Sequence, residues 1–253
     1  MAKKSRNLAG CAAASVVDFG QLSRADLAQM EAAGREVLDV HRVLTKTGDN
    51  VVGELLRDSG TFYEWDHFPP GDVYDHETHA QYYYHAHSEE QRFPREHGHF
   101  HTFLRPNGMP AGIKPAPVPD YQPPADPNDA LSHLITIAMD SRGFPCKLFS
   151  VNRWVTGEVW YKAEDVIRML DYFVIDHARP SWPVNRWITA MVQFFKPQIA
   201  ALVLARDQAV EARRVKHQPA DVYEDRAFEV CSHLDIDIDQ QLRQITAELQ
   251  RRG

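Results

Sequence analysis

The stretch YYYHAHSEEQRFPREHGHFHTF, residues 82–103, carries five histidines at a spacing of two: His85 and His87 in one aromatic segment, His97, His99 and His101 in the next. Side chains on a strand alternate faces, so each group reads as a ridge of imidazoles on one face of its own strand. Nine residues separate His87 from His97, enough for the chain to reverse and pair the two ridges as a hairpin. The apolar residues occupy the other register, Tyr82, Tyr84 and Ala86 on the first strand and Phe100, Thr102 and Leu104 on the second. That register is expected to face a core. The histidine face is then solvated, coordinated or catalytic, because desolvating five unpartnered imidazoles is costly.

Upstream of the hairpin, residues 22–44 place Leu27, Met30, Gly34, Val37, Leu38, His41 and Leu44 on one helical stripe, with Ser23 and Asp26 as a capping box. His41 on that stripe reads as a packed histidine. From 48 to 81 the pattern is loop-like, with glycines, a Pro69-Pro70-Gly71 turn and one short aromatic strand, TFYEW at 61–65. His67, His76 and His79 with Asp66, Asp75 and Glu77 make this either a solvated surface or a ligand-bearing loop beside the hairpin. Residues 106–127 hold eight of sixteen prolines and are expected to run extended over the surface. HLITIAMD at 133–140 and CKLFSVNRW at 146–154 read as a second hairpin turned by SRGFP, with His133 either an extra ligand or an ordinary strand-end histidine.

Beyond residue 156 the pattern turns helical: a stripe through Val166, Met169, Leu170, Phe173 and Val174, a helix starting near Pro183 and kinked or ended at Pro197, and amphipathic pieces near 220–233 and 238–251. The expected fold class is therefore α+β, an antiparallel β-sheet carrying the histidine hairpin, with helices at the N-terminus and throughout the C-terminal half. The expected organisation is a flexible tail over 1–20 and a single domain over 21–253, with a helix-plus-sheet region at 21–155 and a helical region at 156–253. VNRWVT at 151–156 recurs as VNRWIT at 184–189. The echo reads as chance, yet Arg153 and Arg186, each between Asn and Trp, suit the gripping of a substrate carboxylate or phosphate.

A formal charge of −7 over 253 residues leaves no whole-chain basic field, so neither nucleic acid nor an anionic membrane is an expected partner. Cys11, Cys146 and Cys231 are scattered and form no CxxC, which argues against a zinc ribbon or a disulfide framework and fits a reducing cytoplasm. LAGC at 8–11 matches a lipoprotein cleavage pattern, but almost no apolar run precedes it, so the start reads as a cytosolic tail. Oligomeric state is not legible.

The chemistry of the hairpin points first to a transition metal. Imidazole suits zinc, iron, nickel and copper, and HxH offers two nitrogens from neighbouring same-face positions. His85, His87, His99 and His101 are the expected ligands, with iron or zinc the expected ion and Glu90 or Glu96 an available carboxylate. Glu96 is the first choice for a general base, and His97 a proton-transfer partner. The site then belongs either to a mononuclear iron- or zinc-dependent oxygenase or hydrolase acting on a small molecule, or to a non-catalytic metal delivery or sensing protein.

Three resemblances accompany this reading. His85-x-His87, followed by Gln91 and Gly98, resembles the first motif of the cupin barrel, which implies a metal site. The family usually has Glu where Gln91 stands, and no histidine follows Pro110-Ala111-Gly112 as its second motif requires. HGHFHTF at 97–103 resembles the signature of histidine-triad nucleotide hydrolases and transferases, which implies His99 as the nucleophile on phosphorus, supported by His97 and His101. Its spacer positions are here Gly98 and Thr102. As a whole, the chain with its YYYHAH and EHGHFHTF segments is similar to an uncharacterised bacterial protein family, which implies no established activity.

Overall fold

The computed structural model describes residue 8 and residues 10–119, 121–218 and 220–252. In chain order the strands are β1 (Ala12–Ala13), β2 (Phe68–Tyr74), β3 (Ala80–His85), β4 (Glu96–Leu104), β5 (Ser132–Asp140), β6 (Pro145–Val151) and β7 (Val230–Asp235). The helices are α1 (Arg24–Thr45), α2 (Val51–Leu56), α3 (Arg153–Thr156), α4 (Ala163–Met169), α5 (Trp182–Phe194), α6 (Lys196–His217) and α7 (Ile238–Arg251). The strands form one sheet in the order β1-β7-β6-β5-β4-β3-β2, antiparallel throughout except for the parallel pair β1 and β7. The fold is α+β, with helices at the N-terminus and in the C-terminal half.

The histidine hairpin forms as β3 and β4, with His85 opposite His99 and Tyr83 opposite His101. The tyrosine and phenylalanine register faces the helices. Tyr82 Oη donates to Asn185 Oδ1 at 2.6 Å, and the Phe100 ring lies 5.3 Å from Trp187, both partners on α5. Tyr82, Tyr84, Phe100, Leu104, Ile135, Ile137 and Leu148 share one apolar core with α1, α5 and α6. Ser23 caps α1 through the Asp26 N–H, as the sequence pattern requires. His41 is buried on the α1 stripe, accepting from Trp187 Nε1 at 3.1 Å and stacking on Phe144. Pro197 sits in the first turn of α6, which bends 69° away from α5.

Four local expectations differ from the structure. Residues 48–81 include a helix, α2, capped by the Asn50 side chain on the N–H groups of Val52 and Gly53. TFYEW is not a strand but an irregular loop, with Phe62 stacked inward on the core residue Phe68 and Trp65 stacked on His87. The Pro-Pro-Gly segment lies inside β2, an edge strand whose register slips between Phe68 and Val73, the position where prolines are tolerated. The piece near 220–233, read as an amphipathic helix, is a single 3-10 turn at Val222–Glu224 followed by β7, which pairs with β6 and β1. Six residues are too few for periodicity to separate strand from helix. Of the expected tail, residues 1–7 and 9 lie outside the described residues, whereas Ala12–Ala13 extends the sheet as β1.

Candidate metal centre

The sheet face turned away from α5 carries the histidines. Where regular alternation holds, from Gly98 to Thr102 on β4, His99 and His101 share this face with His85 and Tyr83 across on β3 and with Ala138 and Thr136 across on β5. His85, His87, His99 and His101 are all buried, His99 completely. One ring nitrogen from each of His85, His99 and His101 lies within 4.8 Å of the others, a geometry able to hold a metal ion.

The atoms that meet there are set by what holds the far side of each ring. His99 Nδ1 lies 2.5 Å from Glu96 Oε1, so the ring donates to the carboxylate and Nε2 is left as the lone-pair atom. That Nε2 is 2.8 Å from His85 Nε2. His101 Nδ1 lies 3.1 Å from His133 Nε2 and 3.2 Å from Thr136 Oγ1, and its Nε2 is buried with no hydrogen-bond partner. Burial and the neighbouring imidazoles hold the His101 pKa well below the ordinary histidine value. Burial, with Arg206 adding to it, pulls His133 down to about 3. Neutral imidazole is the ligating form.

Two β-bulges build this arrangement. Glu96 pairs with Asp140 and Gly98 with Met139, so His97 is the extra residue. Without the bulge, Glu96 and His99, three apart, would face opposite sides; with it the carboxylate reaches the imidazole. His97 is correspondingly turned out of the triplet. Its Nδ1 lies 2.7 Å from Tyr84 Oη and its ring 5.8 Å from Phe62, so the expected three-histidine ridge is a pair. Gly98 follows because a Cβ there would sit 2.5 Å from Tyr84 Oη and 2.6 Å from the His85 carbonyl oxygen.

Both carboxylate oxygens of Glu96, the expected general base, are engaged in hydrogen bonds. Its side chain is fully buried, with Oε1 on His99 and Oε2 accepting from the Phe93 N–H at 2.9 Å. Glu90 and Gln91 lie exposed on the turn between β3 and β4. His87 flanks the cluster, its ring 4.9 Å from His85 and 5.1 Å from His99, beneath the Trp65 indole at 4.3 Å. Arg92 ties this cover down by donating to the His87 carbonyl at 2.6 Å and pairing with Glu64 at 2.5 Å. His67 stacks on Tyr83 at 3.6 Å and bonds to Asp72, while His79 contacts Tyr74 Oη and His76 packs edge-on to the same ring. The 66–79 loop therefore covers the site's edge with one histidine and keeps the other two at the β2–β3 turn.

The two arginines do not converge. Arg186 pairs with Glu36 on the helical side. Arg153 is on α3, whose Val155 packs with Phe93 and Phe149 on the histidine side, and its Nη2 bonds Asp221 and Glu224 while Nε is buried without a partner. Glu158, which carries no periodic or motif signal in the sequence, is buried beside His133. Its Oε2 accepts from the His133 N–H at 2.6 Å, Oε1 has no partner, and burial raises its pKa to about 8. Burial also lifts the Cys11 and Cys146 thiols to about 11, which leaves them protonated and unreactive.

Fold and site together define an α+β protein with a buried polyhistidine cluster on the sheet face turned away from α5. The chain belongs to the family described as a domain of unknown function, DUF6969, which matches residues 31–236. No curated protein and no solved structure matches the chain. The linear strand order differs from a cupin barrel, and His97, turned toward Tyr84, leaves the histidine-triad arrangement incomplete. No single helix among the described residues is long and apolar enough to cross a membrane.

Proposed function

We propose that this chain binds a single transition-metal ion, iron or zinc, through His85, His99 and His101. The observation that carries this is one ring nitrogen from each of three buried histidines lying within 4.8 Å of the others, with His101 Nε2 buried and without a hydrogen-bond partner. Tetrahedral zinc with Zn–N bonds of about 2.0–2.1 Å sets its nitrogens roughly 3.3 Å apart, so a small opening of the His85–His99 contact admits an ion. Glu96 orients His99 and offsets part of the ion's charge.

Three histidines leave a fourth position. His87 stands outside the mutually reachable set, stacked under Trp65, a residue 54% exposed. This favours an open-site enzyme acting on a small molecule, oxygenase or hydrolase, over a closed delivery or sensing site. When bound, the ion supplies Lewis acidity or, as iron, redox chemistry. The protein's own part is to hold three neutral imidazoles and to exclude water with Phe93, Phe149 and Tyr83.

The test is metal analysis of protein produced without a polyhistidine tag, as wild type and as His99→Ala with His101→Ala. The wild type is expected to carry or take up a stoichiometric ion and the double variant to lose it. A wild type that binds none of zinc, iron, nickel or copper above micromolar affinity overturns the reading. Retention by the double variant overturns the ligand assignment.

A further inference from the structure

His133 and Thr136 are three residues apart on β5, a spacing that places side chains on opposite faces of a regular strand. Here Thr102 pairs with Ile135 and Phe103 with His133, so Leu134 is an extra residue and both side chains reach the histidine face. They arrive at one atom. His101 Nδ1, His133 Nε2 and Thr136 Oγ1 form a closed triangle with sides of 3.1, 3.1 and 3.2 Å.

An ion on His101 Nε2 requires the ring proton on Nδ1, and that proton needs an acceptor. His133 Nε2 supplies it, with Thr136 Oγ1 beside it as alternative acceptor or as donor to His133. His133 is itself held on both sides: Glu158 Oε2 takes its backbone N–H, and the Phe103 ring packs on it edge-to-face at 5.3 Å. The layout repeats that of the first bulge, where Glu96 reaches His99 across the same interval of three.

We infer that His133, backed by Thr136, is the positioning residue for the ligand His101, in the role Glu96 has for His99. The two bulges of β4 and β5 place these two outer acceptors. This rests on the metal-binding reading and gives a role to His133, a buried histidine of the same face outside the ligand set. It predicts an asymmetric centre: His99 is polarised by a carboxylate and donates strongly, while His101 is held by neutral acceptors.

The experiment measures zinc affinity by chelator competition, and the visible absorption of the cobalt-substituted protein, for wild type, His133→Phe, His133→Gln and Thr136→Val. Removing the acceptor with Phe is expected to weaken zinc roughly 10–100-fold and to shift the cobalt bands. Gln, whose amide oxygen still accepts, is expected to recover most of the affinity and the wild-type bands. Thr136→Val, a small change that serves if the Phe variant does not fold, is expected to weaken zinc by less than Phe. His133→Phe within threefold of wild type, or Phe and Gln equally weak, overturns the inference while leaving the metal site standing. A wild type that binds no metal removes both.

Discussion

Replacing Glu96 separates the work of this carboxylate in the fold from its work at the centre. Its two oxygens take two buried protons, His99 Nδ1–H at 2.5 Å and Phe93 N–H at 2.9 Å. Glu96→Ala strands both donors, at about 1–3 kcal/mol each, so the metal-free protein is expected to lose about 2–6 kcal/mol. Glu96→Gln accepts from one donor but turns an NH2 toward the other, and about half that loss follows. Metal affinity is expected to fall roughly 10–100-fold in both variants, because His99 loses its charged partner. Urea unfolding monitored by tryptophan fluorescence in excess chelator gives the first quantity, and competition with a zinc indicator gives the second. A Glu96→Ala protein within 0.5 kcal/mol of wild type without metal, and unchanged in zinc affinity, refutes the argument on both counts.

Burial, partly opposed by Asp140, holds the His41 pKa at about 4 against an ordinary 6.5, so the folded protein binds fewer protons than the unfolded chain in that window. Its contribution is whole above pH 6.5 and is lost as pH falls toward 4; at pH 5 the loss is about 2 kcal/mol, and urea midpoints of His41→Asn should show a correspondingly shallower fall between pH 7.5 and 5. Gly34→Ala drives a methyl to 2.5 Å from the Phe194 ring between α1 and α5 and should lower stability by about 1–3 kcal/mol in chemical denaturation, a loss a neutral result would contradict. Trp65→Ala uncovers His87, so zinc removal by a chelator should be faster in stopped flow with little change in unfolding midpoint.

The hairpin was legible because one register is aromatic and the other imidazole, a contrast that alternation alone converts into two faces. Helix α1 was legible from its cap and stripe, and the α5–α6 bend from Pro197. What escaped has a common physical origin in irregular backbone. His97 reads as part of a triplet until a bulge removes it, and Glu96 reads as a free base until the same bulge delivers it to His99. His133 and Thr136 are invisible as a pair because their spacing is wrong for any regular strand. Glu158 sits in the irregular link after α3, where no periodicity exists to mark it. Arg186 stands between Asn185 and Trp187, helix positions packed on the core, and its guanidinium pairs with Glu36.

The metal-free cluster carries its own energetic argument. His85 Nε2 faces His99 Nε2, and since His99 gives its proton to Glu96, His85 must supply the one proton that contact needs. His101 Nε2 then stays buried and unsatisfied, at about 1–3 kcal/mol. An ion that replaces the His85–His99 contact and engages the third nitrogen removes that penalty and adds its own binding term, about 2.7 kcal/mol at a hundredfold excess over the dissociation constant. Zinc should therefore raise the thermal midpoint of wild type by several degrees, in proportion to the logarithm of free ion. His101→Phe should behave oppositely: no zinc response, and a metal-free stability at or above wild type, because the unsatisfied nitrogen is gone. A His101→Phe protein that still shifts its midpoint with zinc, or that is markedly less stable than metal-free wild type, would show that the lone pair was never a ligand in waiting.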